Sequence, residues 1–543
     1  MTHPVAGSSR SARALLAYDL QRTRAAHPQQ ALLDALAGGA EQDWLECAQA
    51  LVLRRDPAAA LAVLHGAMAA CPESSEIRLA LAGALFQNGD EAAAESLLRS
   101  LLAADPGHAA AAFLLARMLK RQGRMQALAT ALRALFRHRR HDIELAIQAV
   151  ELLDDCGRQA DAAAICEDEI AAGCTDPRLH THAGALLSQL GRFELARRRY
   201  EFALERTDQA LEWHVPAGLA ELQRYADESH PDFAKFRAYH RRTDLSGPAR
   251  ASLLFAMGKA LDDIAEQAQA AHCLREANAI VHAAVRWPRK QWRRSVEARI
   301  GRRLPPGQLE ATPGWTPVFI VGMPRSGTTL LAELLARHPQ VCHRGELTWL
   351  PTLAEQISNG GGTYRERLEQ ARAAYAAQLR QDDSDARWFI DKQPHNFMHV
   401  DLILRLFPHA RIIGCQRNAR DNALSLWMQS FQAGTQEFAY DFADIGTVIQ
   451  GSRRLMKHWQ GRYPASIHAV RYEQLAADPA TCLGDLSTWL ELPAHDLLAT
   501  RGGGGPIRTA SLWQARQPIH TRSLQRWRAY APHVPELLQL PDD

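Results

Sequence analysis

The chain of 543 residues carries 63 lysines and arginines against 60 aspartates and glutamates, a near-balance that argues against a dedicated nucleic-acid-binding protein. Its apolar fraction of 47% is that of a globular chain of about three domains, and no apolar run reaches the roughly 20 residues of a membrane span. Nine scattered cysteines without a CxxC pair, and the lack of an apolar leader, predict a cytoplasmic protein with neither disulfides nor structural zinc.

The first half of the chain contains an internal repeat of 34 residues, in a sequence rich in the helix formers alanine and leucine. Four glycines at this spacing each separate two helical stretches: Gly89, Gly123, Gly157 and Gly191. A glycine at such a place lets the chain turn tightly between two antiparallel helices. Residues 253–279, with Gly258 where a small residue is required, have the pattern of a late, separated repeat.

These repeats resemble the tetratricopeptide repeat, which has the same period, the same turn glycine and small residues at matching positions. The resemblance implies an all-α tetratricopeptide superhelix over residues 1–285. Arrays of this kind present a concave face to peptides or proteins, so we expect a protein partner or self-association through the repeats.

The segment after the repeats is strongly basic. Residues 286–303 carry eight basic side chains against one acid, with Trp287 and Trp292 between them. The segment is either a basic surface for an anionic ligand or a solvated linker helix, and the second is the commoner case. Because residues 304–317 are rich in proline and glycine, we place a basic linker at 286–315.

Short apolar runs alternate with helical stretches in the last part of the chain. The runs cover residues 318–321, 387–390, 411–413 and 468–472. Such runs, each followed by a helix, predict a parallel sheet covered by helices on both faces, and hence a three-layer α/β domain over 316–543. Ligands of these sheets bind at the carboxyl ends of the strands.

The first apolar run leads into a loop that is suited to binding an anion. The loop runs from Gly322 to Gly327, and a helix begins at Thr328. Backbone N–H groups of such a loop, together with the helix N-terminus, bind phosphate or sulfate groups. The glycine spacing is that of the phosphate loop of nucleotide hydrolases, but the expected lysine after Gly327 is missing and the cation of the loop is Arg325. The absence of this lysine argues against Mg²⁺-dependent cleavage of a nucleoside triphosphate.

The loop sequence P-R-S-G-T-T resembles the 5′-phosphosulfate loop of sulfotransferases that use 3′-phosphoadenylyl sulfate (PAPS). It is especially similar to that of the tyrosylprotein sulfotransferases and their bacterial relatives fused to tetratricopeptide repeats. The resemblance implies that the 5′-phosphosulfate is bound by Pro324, Arg325, Ser326, Gly327, Thr328 and Thr329. Arg417 and Ser425 match a second family motif, which binds the 3′-phosphate in the relatives. The planar guanidinium of arginine suits this task because it can donate two hydrogen bonds to phosphate oxygens.

Two further residues acquire catalytic roles from the resemblance. Glu346 follows Arg325 by 21 residues, where the family places its catalytic base, and Lys392 stands after a predicted strand, as the catalytic lysine of the family does. The resemblance implies that Glu346 deprotonates the acceptor hydroxyl while Arg325 and Lys392 stabilise the transferring group. No metal is expected in this chemistry, and His395 and His399, although four residues apart, lack a third ligand.

The resemblance also extends to the last part of the chain. Tyr472, at the end of the last predicted strand, either contacts the nucleotide or positions the base, and an ordinary strand-end tyrosine is the equal alternative. Residues 501–527 correspond to a segment that closes over the 3′-phosphate and adenosine in the relatives, and Ser511 and Arg516 are its best phosphate ligands.

We therefore predict a PAPS-dependent sulfotransferase fused to tetratricopeptide repeats, with 3′-phosphoadenosine 5′-phosphate (PAP) as its second product. The acceptor is a peptide, a protein or a small hydroxyl compound. A peptide tyrosine is one candidate, although Leu347 stands where the animal enzymes have a second acid. Two alternatives stay open, a kinase-type phosphotransferase on the same loop architecture and a repeat scaffold with an inactive sulfotransferase domain. Dependence on Mg²⁺ would distinguish the first of them.

Overall fold

A computed structural model of the chain describes residues 9–22, 28–302, 307, 309–312, 314–382, 385–431, 434–498 and 520–543. The chain divides into two compact units, residues 1–145 and 146–543. Within the described ranges, every helix is too short or too polar to cross a membrane.

The described part of the chain up to residue 301 is mainly helical, as the repeat pattern predicts. Its helices are α1 (Arg10–Gln21), α2 (Pro28–Leu36), α3 (Glu41–Leu53), α4 (Pro57–Ala70), α5 (Ser75–Gln87), α6 (Glu91–Ala104), α7 (Ala109–Arg121), α8 (Met125–Leu135), α9 (Ile143–Asp155), α10 (Gln159–Ala171), α11 (Pro177–Gln189), α12 (Phe193–Arg206), α13 (Gln209–Glu212), α14 (Val215–Glu221), α15 (Pro231–His240), α16 (Gly247–Asp263), α17 (Gln267–Ala284) and α18 (Arg289–Gly301).

The repeat glycines and the small residues act as the sequence predicts. All four turn glycines have positive φ angles, which glycine adopts without steric cost. After the first of them, Asp90 caps α6 by accepting a hydrogen bond from the amide of Ala93 at 3.1 Å. A Cβ on Gly258 would lie 2.6 Å from Cγ of Leu274, so this glycine lets α16 and α17 pack closely as the late hairpin.

The second unit contains a parallel sheet of five strands in the order β2-β3-β1-β4-β5. The strands are β1 (Thr316–Gly322), β2 (Val341–His343), β3 (Trp388–Asp391), β4 (Arg411–Gln416) and β5 (Ile467–Arg471). Four of them coincide with the predicted apolar runs. The short edge strand β2 has only three residues and no apolar run, and the sequence did not predict it.

Helices cover both faces of this sheet. They are α19 (Thr328–Leu335), α20 (Trp349–Asn359), α21 (Tyr364–Arg380), α22 (Val400–Leu406), α23 (Ala419–Trp427), α24 (Phe442–Arg462), α25 (Tyr472–Ala477), α26 (Pro479–Trp489) and α27 (Trp527–Tyr530), with 3₁₀ turns at Pro394–His399, Glu437–Tyr440 and Pro535–Gln539. Along β1, Phe319 and Val321 enter the core on one face, and Val318 and Ile320 enter the core on the other. This alternation makes the three-layer α/β architecture that the sequence predicts.

The basic segment is a helix, α18, that packs against α24. Val296 is 1% exposed and belongs to the core on one face of the sheet. A Cβ on Gly451 of α24 would lie 2.7 Å from Nε1 of Trp292, and Arg454 pairs with Glu297 at 2.6 Å. The helix is therefore docked along one face, which corrects the expectation of a solvated linker. The boundaries at 285 and 315 stay predictions.

Candidate functional site

The anion-binding loop lies at the carboxyl end of the central strand β1. A Cβ on Gly322 would lie 2.4 Å from the carbonyl oxygen of Cys415 in β4, and one on Gly327, whose φ is 91°, would lie 2.5 Å from Cδ2 of Tyr472. Ser326 closes the loop internally by donating its hydroxyl to the carbonyl oxygen of Met323 at 2.7 Å. Both glycines are thus required because the backbone runs directly against its neighbours.

The structure brings the two predicted binding motifs into direct contact. Nε of Arg325 donates to Oγ of Ser425 at 3.1 Å, and Nη1 of Arg417 donates to the carbonyl oxygen of Arg325 at 2.8 Å. Asn422, which lies between the two motif residues on α23, donates to the carbonyl oxygen of Pro324 at 2.9 Å. Arg325 itself has a φ of 69°, a sparsely populated conformation for a residue with a side chain.

The place where Arg325 and Arg417 meet is strongly electropositive. Burial, followed by the nearby charge of Arg417, lowers the pKa of Arg325 to about 10, and burial also lowers the pKa of Arg417. The guanidinium of Arg417 lies over the ring of Tyr472, 4.7 Å from its centre. Among the described residues, Nε of Arg417 has no hydrogen-bond partner although the atom is buried. An anion that accepts from these groups fits the site.

Glu346 and Lys392, from distant parts of the sequence, form an ion pair. The side chain of Lys392 is 2% exposed and that of Glu346 is 37% exposed. Lys392 directly follows β3, and its amide donates to the carbonyl oxygen of Gly345 at 2.9 Å. The structure therefore brings the two predicted catalytic residues together, with the carboxylate on the solvent side.

Sequence reasoning missed Asp391, which links the chain segments that carry Glu346 and Lys392. Asp391 is fully buried. It accepts hydrogen bonds from the amide of Leu347 at 3.1 Å, from Nδ2 of Asn396 at 2.7 Å and from the hydroxyl of Tyr375. Burial raises its pKa to about 7. The available signal was an acid that directly precedes Lys392 at the end of a strand.

The remaining predicted ligands surround the loop or lie outside the described residues. Thr328 and Thr329 begin α19, the helix after the loop. The hydroxyl of Tyr472 contacts Oγ of Ser523 at 2.6 Å. A Cβ on Gly327 would meet its ring, so Tyr472 lies beside the loop, and its predicted role stays a prediction. Ser511 and Arg516 lie outside the described residues.

Of the two histidines at the predicted ligand spacing, His395 has another contact. Nε2 of His395 lies 2.7 Å from Oε1 of Gln436. Within the described residues, one group has the spacing of metal ligands, namely His282, Asp441 and Asp444. Arg289 already pairs with both of its carboxylates, so this group is an ion-pair cluster.

Comparison with known proteins finds two matching families. Residues 317–496 match the model of the sulfotransferase family, and residues 51–118 match the tetratricopeptide repeat. The chain is 31% identical over 229 residues to a Caenorhabditis briggsae protein named "Putative protein-tyrosine sulfotransferase", covering 39% of this chain and 80% of that protein. It is 31% identical over 325 residues to an uncharacterized protein of Aquifex aeolicus, covering 55% of this chain but only 43% of that longer protein.

Among solved structures, the sulfotransferase domain from the Synechococcus PCC 7002 olefin synthase matches with 21% identity and a TM-score of 0.31. The match covers 43% of this chain and 96% of that domain.

Proposed function

The chain belongs to the sulfotransferase family, and on that basis we propose that it transfers the sulfuryl group of PAPS to an acceptor hydroxyl. One observation carries the proposal. Arg417 donates to the backbone of Arg325, and Arg325 donates to Ser425, so that two motifs 92 residues apart in sequence form one cationic site beside the loop.

The described residues fit a nucleotide with phosphate groups at both ends. We assign the 5′-phosphosulfate to the loop from Pro324 to Gly327, where backbone amides and the start of α19 favour an anion. The hydroxyls of Thr328 and Thr329 add donors there. Arg417 and Ser425 bind the 3′-phosphate, and the buried Nε of Arg417 supplies a donor that no described residue uses. Ser511 and Arg516 stay predicted ligands of the same phosphate.

When bound, PAPS supplies the sulfuryl group and a phosphate leaving group. Glu346 accepts the proton of the acceptor hydroxyl as the bond from the acceptor oxygen to sulfur forms. The bond from sulfur to the 5′-phosphate oxygen breaks in the same in-line displacement, which leaves PAP and the sulfated acceptor. Lys392 and Arg325 stabilise the negative charge that develops on the bridging oxygen. The side chains and loop amides perform these tasks without a metal ion.

The proposal identifies the acceptor only by its chemical class. Because the tetratricopeptide repeats precede the enzyme on one chain, we propose a peptide or protein as the acceptor or as a partner. A peptide tyrosine fits the name of the nematode relative, and a small hydroxyl compound remains the alternative.

Calorimetric titration with PAP tests the nucleotide site. We expect Arg417→Ala to weaken PAP binding at least about tenfold, because a charged donor to a phosphate contributes roughly 1.5–3 kcal/mol. Arg411→Ala is the matched control. Arg411 is the first residue of strand β4, whereas Arg417 follows its last residue, and Arg411 pairs with Glu491 at that other end of the strand. Absence of PAP binding in the parent chain, or equal affinity in Arg417→Ala, would refute the assignment.

A further inference from the structure

The backbone on both sides of Glu346 is tied to the end of β3. On one side, the carbonyl oxygen of Gly345 accepts a hydrogen bond from the amide of Lys392 at 2.9 Å. On the other side, the amide of Leu347 donates to Oδ1 of Asp391 at 3.1 Å. The first bond joins two backbone groups, whereas the second depends on one side chain. Replacing Asp391 would therefore release the backbone directly after the proposed base.

Asp391 is itself held in one orientation. Its second oxygen, Oδ2, accepts from Nδ2 of Asn396 at 2.7 Å and from the hydroxyl of Tyr375. The ring of Tyr375 stacks on that of Phe319 in β1, with 5.9 Å between the ring centres and 13° between the planes. Asp391, Tyr375 and Phe319 are all fully buried. A buried carboxylate with a donor at each oxygen is costly to turn, because turning would leave these polar groups without partners.

The helix that carries Tyr375 also holds the chain before the base. Nε of Arg344 donates to the carbonyl oxygen of Leu379 and Nη2 to that of Arg380, each at 2.6 Å. These carbonyl groups lie in the last turn of α21, where a cation is favourable. The helix α21 therefore fixes the chain before the base directly, and the chain after it through Asp391.

This double anchoring matters because Glu346 must reach two partners. Its carboxylate pairs with Lys392, and its side chain is 37% exposed, so packing constrains it less than a core residue. A general base has to lie within hydrogen-bond reach of the acceptor proton. A displacement of about 1 Å can lower a rate about a hundredfold. The position of the backbone at Glu346 is thus a condition for its proposed role.

We infer that Asp391 is a positioning residue of the proposed reaction, and that it acts on Glu346 through the amide of Leu347. The inference rests on the proposed function. Asp391 takes up no proton in this role, since it serves as a fixed acceptor for the backbone next to the base. The helix α21 then belongs to the catalytic machinery as the support of this acceptor.

Steady-state transfer from PAPS, with the full-length chain and the faster of two acceptors, phenol or a tyrosine-containing peptide, tests the inference. The assay is run at pH 8, where Asp391 is ionised because burial raises its pKa only to about 7. Asp391→Asn should lower the rate at saturating PAPS about 10–100-fold. The KM for PAPS and the affinity for PAP should stay within about threefold of the parent values, because the nucleotide is bound elsewhere.

A double variant distinguishes positioning of the base from a general structural effect. In a Glu346→Gln background there is no base to position, so adding Asp391→Asn should lower the residual rate by less than about threefold. A loss by the same factor in both backgrounds would show that Asp391 does not act through Glu346, and would overturn the inference.

Asp232→Asn is the matched control. Asp232 in α15 is also buried, and it accepts from the hydroxyl of Tyr225 at 2.7 Å and pairs with Arg197 at 2.9 Å. It belongs to the helical region, so its replacement should lower the unfolding temperature and leave the rate of the folded variant unchanged. If Asp391→Asn instead loses rate and PAP affinity by the same factor, its role is merely structural and the inference is overturned.

The outcomes separate this inference from the proposed function. If the parent chain sulfates neither acceptor, the proposed function fails and the inference fails with it. If the parent transfers and Asp391→Asn keeps its rate within about threefold, only the inference is overturned. Should Asp391→Asn fail to fold, Tyr375→Phe decides, because it keeps the stacked ring and removes one donor to Asp391. Its rate should fall about three- to tenfold, and an unchanged rate would overturn the inference.

Discussion

Replacing Glu346 by glutamine tests the assignment of the general base. Glutamine keeps the size of the side chain and an oxygen that can accept from Lys392, but it cannot take up the proton of the acceptor. A positioned general base contributes about 10²–10⁴-fold to a rate. We expect the rate of sulfuryl transfer at saturating PAPS to fall by that factor, while PAP affinity stays within about threefold of the parent value.

The same substitution should also lower stability, by an amount that the geometry sets. Exposed ion pairs contribute about 0–1 kcal/mol, whereas breaking a buried pair costs about 3–5 kcal/mol. Here the ammonium of Lys392 is buried and the carboxylate of Glu346 is partly exposed, so water screens only one partner. We expect the free energy of unfolding to fall by about 2 kcal/mol, between these limits.

PAP release and transfer are measured at a temperature where denaturant curves show that the variant is folded. Glu355→Gln is the control, because Glu355 is an exposed glutamate on the following helix α20 and should leave rate and stability unchanged. Transfer by folded Glu346→Gln within about threefold of the parent rate would refute the reasoning and require another group to take the proton.

Two more predictions concern stability. Burial, with nearby positive charges, lowers the pKa values of His343 and His399 to about 3 from 6.5, so both are neutral when folded and gain a proton on unfolding below pH 6.5. The free energy of unfolding should therefore fall as the pH decreases from 6.5 towards 3, by up to about 1.4 kcal/mol per pH unit for each histidine. His399→Gln should reduce this slope of unfolding free energy against pH, measured by urea titration at several pH values. A slope equal to that of the parent chain would contradict the assignment of a neutral, buried His399. Gly327→Ala should lower stability by about 1–3 kcal/mol and weaken PAP binding, because the new Cβ would meet the ring of Tyr472 at positive φ. Gly484→Ala, in open space within α26, should be neutral or stabilising, and equal effects of the two substitutions would argue against a required turn at Gly327.

The elements that the sequence predicts well are those with a strong local pattern. The turn glycines have a fixed period, and β1, β3, β4 and β5 are continuous apolar runs, so local physics determines them. The strand β2 has only three residues and is recognisable only from its pairing with β3. The basic segment was misjudged because its charges dominate the composition, while Trp292 and Val296 provide the packed face.

The site shows the same division between local and distant information. The loop from Gly322 to Gly327 is a local motif, and the family resemblance supplied Glu346 and Lys392 as separate residues. Their contact depends on where the chain after β2 lies relative to β3, which no local pattern encodes. Asp262 of α16 pairs with Arg526, which lies 264 residues later in the sequence, and each resembles an ordinary surface charge in its own stretch of sequence.

The contact between Lys392 and Glu346 couples the two catalytic roles proposed for them. The carboxylate holds the buried ammonium, and the same ammonium is proposed to stabilise the bridging oxygen. Replacing Glu346 by a residue that cannot accept from the ammonium therefore displaces the cation as well as removing the base.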